Sequence, residues 1–302
     1  MSDPGRTRTR LVLALLAVWV LWGSTYYAIG VAVEVLPPFL MAGTRFVFAG
    51  VLLTGFALLR GDALPRREHV LPAFISGALL MLCSNGLVCW AETRVESSIA
   101  SLVVSCVPLW MLLFDWMRPR GVRPTALGLV GVAVGIGGVA LLSAPDPEHP
   151  IDGLGVAALL GATISWSIGS LYSRGARQPA SQRLATGMQM LAGGLLQVLA
   201  GLAFGEASRV DMDLVELRHV MSWLWLVGAG SLLGFSAYLW LLKHTSPAVA
   251  TSYAFVNPLV ALTLGAVLGG EILSQRAWVA SAIIVGAVAI VVAGRKRAAP
   301  TV

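Results

Sequence analysis

Apolar runs of membrane-spanning length recur along this chain, at residues 11–32, 38–59, 71–92, 97–117, 124–143, 153–173, 183–204, 221–242, 247–269 and 276–294. Each is close to the ~20 residues a helix needs to cross a ~30 Å hydrocarbon layer. With 57% apolar and 12% charged residues over 302 positions, the chain has too little polar surface for a soluble fold. The expectation is an all-α integral membrane protein of ten transmembrane helices. Arg6, Arg8 and Arg10 ahead of the first run imitate a signal peptide. That run is too long and lacks a small-residue cleavage site, so it is predicted to be the first membrane helix.

The basic residues set the expected orientation. With the N-terminus in the cytoplasm, 16 of the 21 lysines and arginines fall in cytoplasmic segments, among them Arg60, Arg66, Arg67, Arg118, Arg120, Arg123 and Lys243. Only Arg94, Arg209, Arg218 and Arg276 fall on the other side, and Arg45 lies within a span. Basic residues accumulate on the cytoplasmic side of membrane proteins, so both termini are predicted to be cytoplasmic. This alternation also accounts for the net charge of +6, and no nucleic-acid partner is expected.

Two stretches 150 positions apart are variants of one helix. Ser97-Ser98-Ile99-Ala100-Ser101 leads to Pro108-Leu109, and Pro247-Ala248-Val249-Ala250-Thr251 leads to Pro258-Leu259. Trp22 pairs with Trp166, Arg45 with Gln189, Ala49-Gly50 with Gly193-Gly194, and Val134-Gly135 with Val285-Gly286. Five spans per half is an odd number, so two similar halves must cross the membrane in opposite senses. The expected organisation is one five-helix repeat over 11–143 and a second, inverted, over 153–294, with a shared cavity near the midplane. Gly128, Gly131, Gly135 and Gly138 form a small-residue stripe read as helix packing.

Several runs resemble a known family. Trp22-Gly23-Ser24-Thr25-Tyr26, Pro37-Pro38 and Ala42-Gly43-Thr44-Arg45-Phe46 are similar to the first two helices of EamA-type members of the drug/metabolite transporter superfamily. Ser246 through Pro258, with Gly269-Gly270-Glu271, is similar to their ninth helix and the turn after it. The resemblance runs from about residue 11 to 294. It implies a ten-helix inverted-repeat exporter of small metabolites in the bacterial inner membrane, with amino acids prominent among the substrates.

A polar solute leaving water needs substitute hydrogen-bond partners and apolar or aromatic walls. The mid-span candidates are Trp22 and Tyr26 in the first helix, Arg45 in the second, and Met81, Asn85 and Trp90 in the third. The fourth offers Ser101 and Ser105, on one face with Ser98 and Pro108; the later helices offer Trp166, Gln189, Tyr238, Tyr253 and Asn257. Pro108 and Pro258 are candidate helix breaks, since proline removes a backbone bond. Against these stand ordinary roles: serines bond back to their own helix, and aromatic residues populate the interfacial belt. Arg45, about 10 Å into the layer at 1.5 Å per residue, either snorkels or faces a cavity.

All 15 acidic residues sit at span ends or in loops, Glu92 being the sole plausible exception and otherwise an interfacial carboxylate beside Arg94. Transport is therefore expected to run without an obligatory buried proton relay. No metal spacing and no nucleophile–base pair stands out, so neither an enzyme nor a cofactor is expected; Cys83, Cys89 and Cys106 are expected to be packing residues. The expected partners are the lipid bilayer and a small zwitterionic or neutral solute, carried by a monomer. Aromatic walls favour large apolar amino acids. A sugar-phosphate or nucleotide-sugar antiporter would need several cavity cations where this chain offers one; an exporter of drugs or other metabolites is the remaining alternative.

Overall fold

The computed structural model describes residues 4–118, 121, 123–142, 151–245, 247–271 and 274–297, and among these there is no strand. Seven helices are long and apolar enough to cross a membrane: α1 (Thr9–Val33), α2 (Pro38–Leu59), α3 (Arg67–Ala91), α4 (Ser97–Met117), α6 (Gly153–Gly175), α7 (Gln182–Ala203) and α8 (Leu217–His244). Between and after them lie the shorter α5 (Ala126–Leu142), α9 in two shorter pieces (Pro247–Ala250 and Tyr253–Leu268), and the 23-residue α10 (Gln275–Arg297). Each helix falls within about one turn of the run the sequence marks for it. Ser246 lies outside the described residues. Both α4 and α9 are interrupted, but at different levels: Ser105–Cys106 in α4 and Thr251–Ser252 in α9.

The two prolines behave differently from each other, and only Pro258 departs from the sequence expectation. Pro108 takes the second position of the restarted helix Val107–Met117, where a missing N–H costs nothing. Pro258 does not break its helix; it sits inside Tyr253–Leu268, and the break in α9 lies upstream. A packed membrane helix tolerates such a proline because neighbouring groups re-satisfy the freed carbonyl.

Helices α2 and α7 form the tightest seam. A Cβ on Gly43 would stand 2.7 Å from the Val198 nitrogen, and one on Gly50 2.8 Å from the Leu191 nitrogen. A Cβ on Gly194 would stand 2.7 Å from the Val47 nitrogen, and one on Gly187 3.0 Å from the Thr54 nitrogen. Partners descend along α7 as positions ascend along α2, so the helices run antiparallel at backbone contact. On its adjacent face α7 meets α3, where Gly77 would clash with the Gly193 nitrogen at 2.6 Å. The Gly193-Gly194 pair thus lets one helix approach two others closely. Gly128, Gly131, Gly135 and Gly138 of α5 are buried as the stripe requires, and Gly138 packs onto Ile284 of α10.

Helix ends are joined by one recurring device. Gly61 (φ 78°), Gly205 (φ 70°) and Gly270 (φ 66°) take the left-handed conformation that ends a helix, and each precedes an acid. Glu206 and Glu271 then reach the unsatisfied N–H groups at the start of another helix, and Asp62 the side chains at the start of α7. Glu206 accepts from the Phe39 and Leu40 N–H groups at 3.3 and 2.8 Å, and Glu271 from those of Ser97 and Ser98 at 3.2 Å. Asp62 takes the Ser181 hydroxyl, and Arg183 at 2.7 and 3.0 Å.

The Asp62 contacts carry a prediction. Hydrogen bonds from Arg183 and Ser181 hold its carboxyl down to about 2, below its value in an unfolded chain. A depressed carboxyl stabilises the fold above its unfolded value, and the contribution disappears as pH falls through the folded value. Asp62→Asn is therefore expected to lower the melting temperature of the detergent-solubilised protein at neutral pH. The gap to wild type should close as pH falls below about 4 toward about 2. A gap independent of pH would contradict the assignment.

Candidate functional site

Residues from both halves of the chain converge on one cleft of about 680 Å³. Its walls are Trp22, Thr25, Tyr26 and Ile29 of α1, Arg45 and Phe46 of α2, Ser84, Asn85 and Val88 of α3, and Val104 and Val107 of α4. The second half adds Ala162, Thr163 and Trp166 of α6, Gly230 and Phe235 of α8, and Tyr253 of α9. Three helices swell into π-helical turns beside it: Ala17–Leu21 ahead of Trp22, Ala78–Gly86 carrying Ser84 and Asn85, and Leu226–Phe235 carrying Gly230 and Phe235. Such turns re-aim side chains and free carbonyls, and they concentrate at functional sites.

The cleft has two chemical poles. At one, four aromatic rings from four helices meet. Trp22 lies 5.4 Å from Trp166, 5.1 Å from Tyr238 and 5.3 Å from Tyr253. Trp166 lies 5.2 Å from Tyr238. The Trp22 indole donates to the Gly230 carbonyl at 3.0 Å, inside the widened turn of α8, and the Tyr238 and Ser170 hydroxyls bond at 2.7 Å. These bonds fix the Trp22 and Tyr238 rings, and of the four rings Trp22, Trp166 and Tyr253 line the cleft. At the other pole, Arg45 donates through Nη2 to the Asn85 amide oxygen at 2.5 Å. Arg45 is only 3% exposed, and among the described residues its Nε has no partner and no carboxylate lines the cleft.

Of the residues singled out in the sequence, Trp22, Tyr26, Arg45, Asn85, Trp166 and Tyr253 line the cleft. Arg45 does not snorkel. Tyr238 is fully buried behind the aromatic pole. Asn257, also buried, lies against Tyr253 and Trp19 when its amide is oriented to donate to their carbonyls. The remaining five lie off the cleft. Ser101 and Ser105 bond back to the carbonyls of Ser98 and Leu102, the ordinary outcome for a hydroxyl in an apolar helix. Gln189 donates through Nε2 to the Ser173 hydroxyl at 3.3 Å, Met81 packs on Gly193, and Trp90 lies under the Arg94 guanidinium at 4.6 Å. Sequence reasoning missed Thr25, Ile29, Phe46, Ser84, Val88, Val104, Val107, Ala162, Thr163, Gly230 and Phe235. In a chain this apolar, only Thr25, Ser84 and Thr163 carry a polar side-chain atom that could have flagged them.

One expectation is overturned. Glu92 is not an interfacial carboxylate beside Arg94: it is 8% exposed and accepts from the Ser97 hydroxyl at 3.2 Å. Arg94 instead pairs with Asp152 at 3.2 Å, an acid that also caps α6.

A multi-pass helical membrane protein with a cleft shared by both halves of its chain is the architecture of a small-solute carrier. The comparisons place it. The chain matches the EamA-like transporter family over residues 9–144 and 153–293, and it belongs to that family. It is 40% identical over 283 residues to the inner membrane transporter YedA of Escherichia coli, covering 93% of this chain and 90% of that one. It is 30% identical over 249 residues to the protein PecM of Dickeya dadantii, covering 81% and 79%. It is 25% identical over 292 residues to the transporter YvbV of Bacillus subtilis, covering 96% and 93%. A solved crystal structure at 21% identity superposes with a TM-score of 0.68 over 97% of this chain and 99% of the other, a likeness of fold. The chain is thus a membrane transporter of the multi-pass, inner-membrane kind.

Proposed function

We propose that the protein exports small zwitterionic or neutral metabolites, large apolar amino acids foremost, by alternating access through this cleft. The observation that carries the reading is the pairing of poles: a buried arginine held by Asn85 shares one cavity with the clustered rings of Trp22, Trp166 and Tyr253, which Tyr238 backs. A carboxylate suits the first and an apolar side chain the second. The phosphorylated-sugar alternative is disfavoured because Arg45 is the one basic residue among the lining groups.

The mechanism rests on ten spans arranged as inverted repeats over 11–143 and 153–294, with both termini cytoplasmic. The α2–α7 seam supports that symmetry. Exchanging each residue for its counterpart 144 positions away turns the Gly43–Val198 contact into Gly187–Thr54, and Gly50–Leu191 into Gly194–Val47. The same offset relates the Gly61-Asp62 and Gly205-Glu206 brackets at opposite ends of these helices. The third helix of each proposed half carries a long π-helical stretch. Rocking one half against the other about this seam would open the cleft to either side in turn.

Arg45→Gln tests the site. Losing one partner of a buried charged contact costs about 2–5 kcal/mol, so counterflow of labelled phenylalanine in proteoliposomes should fall at least tenfold. The variant should still elute as a monodisperse protein. Equal counterflow by variant and wild type would remove Arg45 from the site.

A further inference from the structure

The transport reading leaves one buried ionisable group without a task. Glu92 follows the last turn of α3; its Oε2 accepts from the Ser97 hydroxyl, and its Oε1 has no hydrogen-bond partner. Glu271 flanks the same serine, its two oxygens holding the Ser97 and Ser98 N–H groups. Two carboxylates therefore meet at the head of α4. The groups facing Glu92 from neighbouring elements are Tyr26 and the Gly30 backbone of α1, Arg45 of α2 and Glu271 beyond α9. Arg94, two residues on, is turned away onto Asp152. Among the described residues, no cation lies within ion-pair distance of Glu92.

A carboxylate out of water needs counter-charge and a full set of donors; a neutral acid needs only an acceptor for its O–H. Glu92 has part of each provision. Ser97 donates to it and Arg45 lies within electrostatic reach, whereas its Oε1 lacks a donor and the Glu271 carboxylate lies within electrostatic reach. Either protonation state can be held, which is the requirement for a site that exchanges a proton. Its position links that exchange to the cleft. Glu92 ends α3, which supplies Ser84, Asn85 and Val88, and it is bonded to the head of α4, which supplies Val104 and Val107.

We infer that Glu92 is the proton-binding site that couples transport to proton movement in the opposite direction. This rests on the transporter reading above, and it replaces the expectation of transport without a buried proton relay, which depended on an interfacial Glu92. One proton from the Glu92 end forms one O–H bond on the carboxylate. That bond breaks, and the proton leaves, when the cleft opens to the opposite end. One solute molecule crosses the other way, and no electrons change hands.

The test has two arms on the full-length protein. In lipid nanodiscs, infrared difference spectra between pH 8 and lower pH, on the order of two units apart, report the C=O band of a protonated buried carboxyl. The band is expected in wild type, absent in Glu92→Gln and displaced in Glu92→Asp. In proteoliposomes with an acidic interior, labelled phenylalanine is followed as the ratio of gradient-driven accumulation to counterflow. One proton per solute sets a ceiling of roughly tenfold accumulation per pH unit. Wild type should approach it, and Glu92→Gln should show no accumulation above the outside concentration. A band that survives Glu92→Gln overturns the inference, as does gradient-driven accumulation retained by that variant or missing from a wild type that performs counterflow. A wild type that performs no counterflow at all would instead refute phenylalanine as cargo, and the infrared arm alone then decides Glu92.

Discussion

Gly194→Val is expected to leave little folded protein, and Gly194→Ala to show a graded version of the same failure. A Cβ at this position would stand 2.7 Å from the Val47 nitrogen, 2.9 Å from the Gly43 carbonyl and 3.0 Å from the Phe46 Cβ. Two of those three atoms are backbone, which cannot swing aside as a long side chain does. Helix α2 must move as a body, and overpacking of this kind costs about 1–3 kcal/mol for one methyl and more for a branched side chain. Net stability is commonly only about 5–15 kcal/mol, so valine consumes much of it. The displaced segment carries Arg45 and Phe46, so any Gly194→Ala protein that survives should also bind solute less tightly. Fluorescence-detected size exclusion after heating checks the first effect, with Gly137→Ala as control because nothing lies within 4 Å of a Cβ there. Equal thermal profiles for Gly194→Ala and Gly137→Ala would contradict the seam.

Trp22→Ala is expected to cost the most in solute recognition. Trp22 touches Trp166, Tyr238 and Tyr253 and lines the cleft itself, so its loss opens the aromatic pole rather than trimming its edge. Truncating a buried tryptophan costs about 3–5 kcal/mol in all. If about 2–3 kcal/mol of that is felt by a bound apolar side chain, the half-saturating concentration rises roughly 30- to 150-fold. Trp22→Phe keeps a π-face and loses the bond to Gly230. A neutral hydrogen bond contributes about 1 kcal/mol, so the change should be only roughly fivefold. Counterflow of labelled phenylalanine against concentration measures both, with size exclusion to show that each variant is folded. Trp22→Phe behaving as badly as Trp22→Ala would mean that the bond, not the ring, matters.

The sequence made the helices legible because a bilayer imposes a length. Runs of about twenty apolar residues announced them, and charge placed between runs announced their ends. Arg45 was legible for the same reason, since its distance from Pro38 sets its depth. Its partner was not: Asn85 lies 40 positions away, and no spacing links residues on different helices. Trp22 and Trp166 could be paired by the duplication, whereas the π-helical turns that aim them have no compositional mark. The serines of α4 were misleading because a hydroxyl is free to choose its own helix over the cavity, and packing decides between them. Glu92 was misjudged because its burial depends on Gly30 and Glu271, which close over it from α1 and from the turn after α9.

The claim of a single cleft reached alternately from both sides of the membrane is tested most directly at Ala162. This residue lines the cleft, is 1% exposed and carries no polar contact to lose. With Cys83, Cys89 and Cys106 replaced by serine or alanine, Ala162→Cys in sealed vesicles is treated with a membrane-impermeant thiol reagent from each side separately. Labelling from both sides, slowed on both by saturating phenylalanine, is the predicted result. Labelling confined to one side under every condition, or blind to solute on both, would contradict the account.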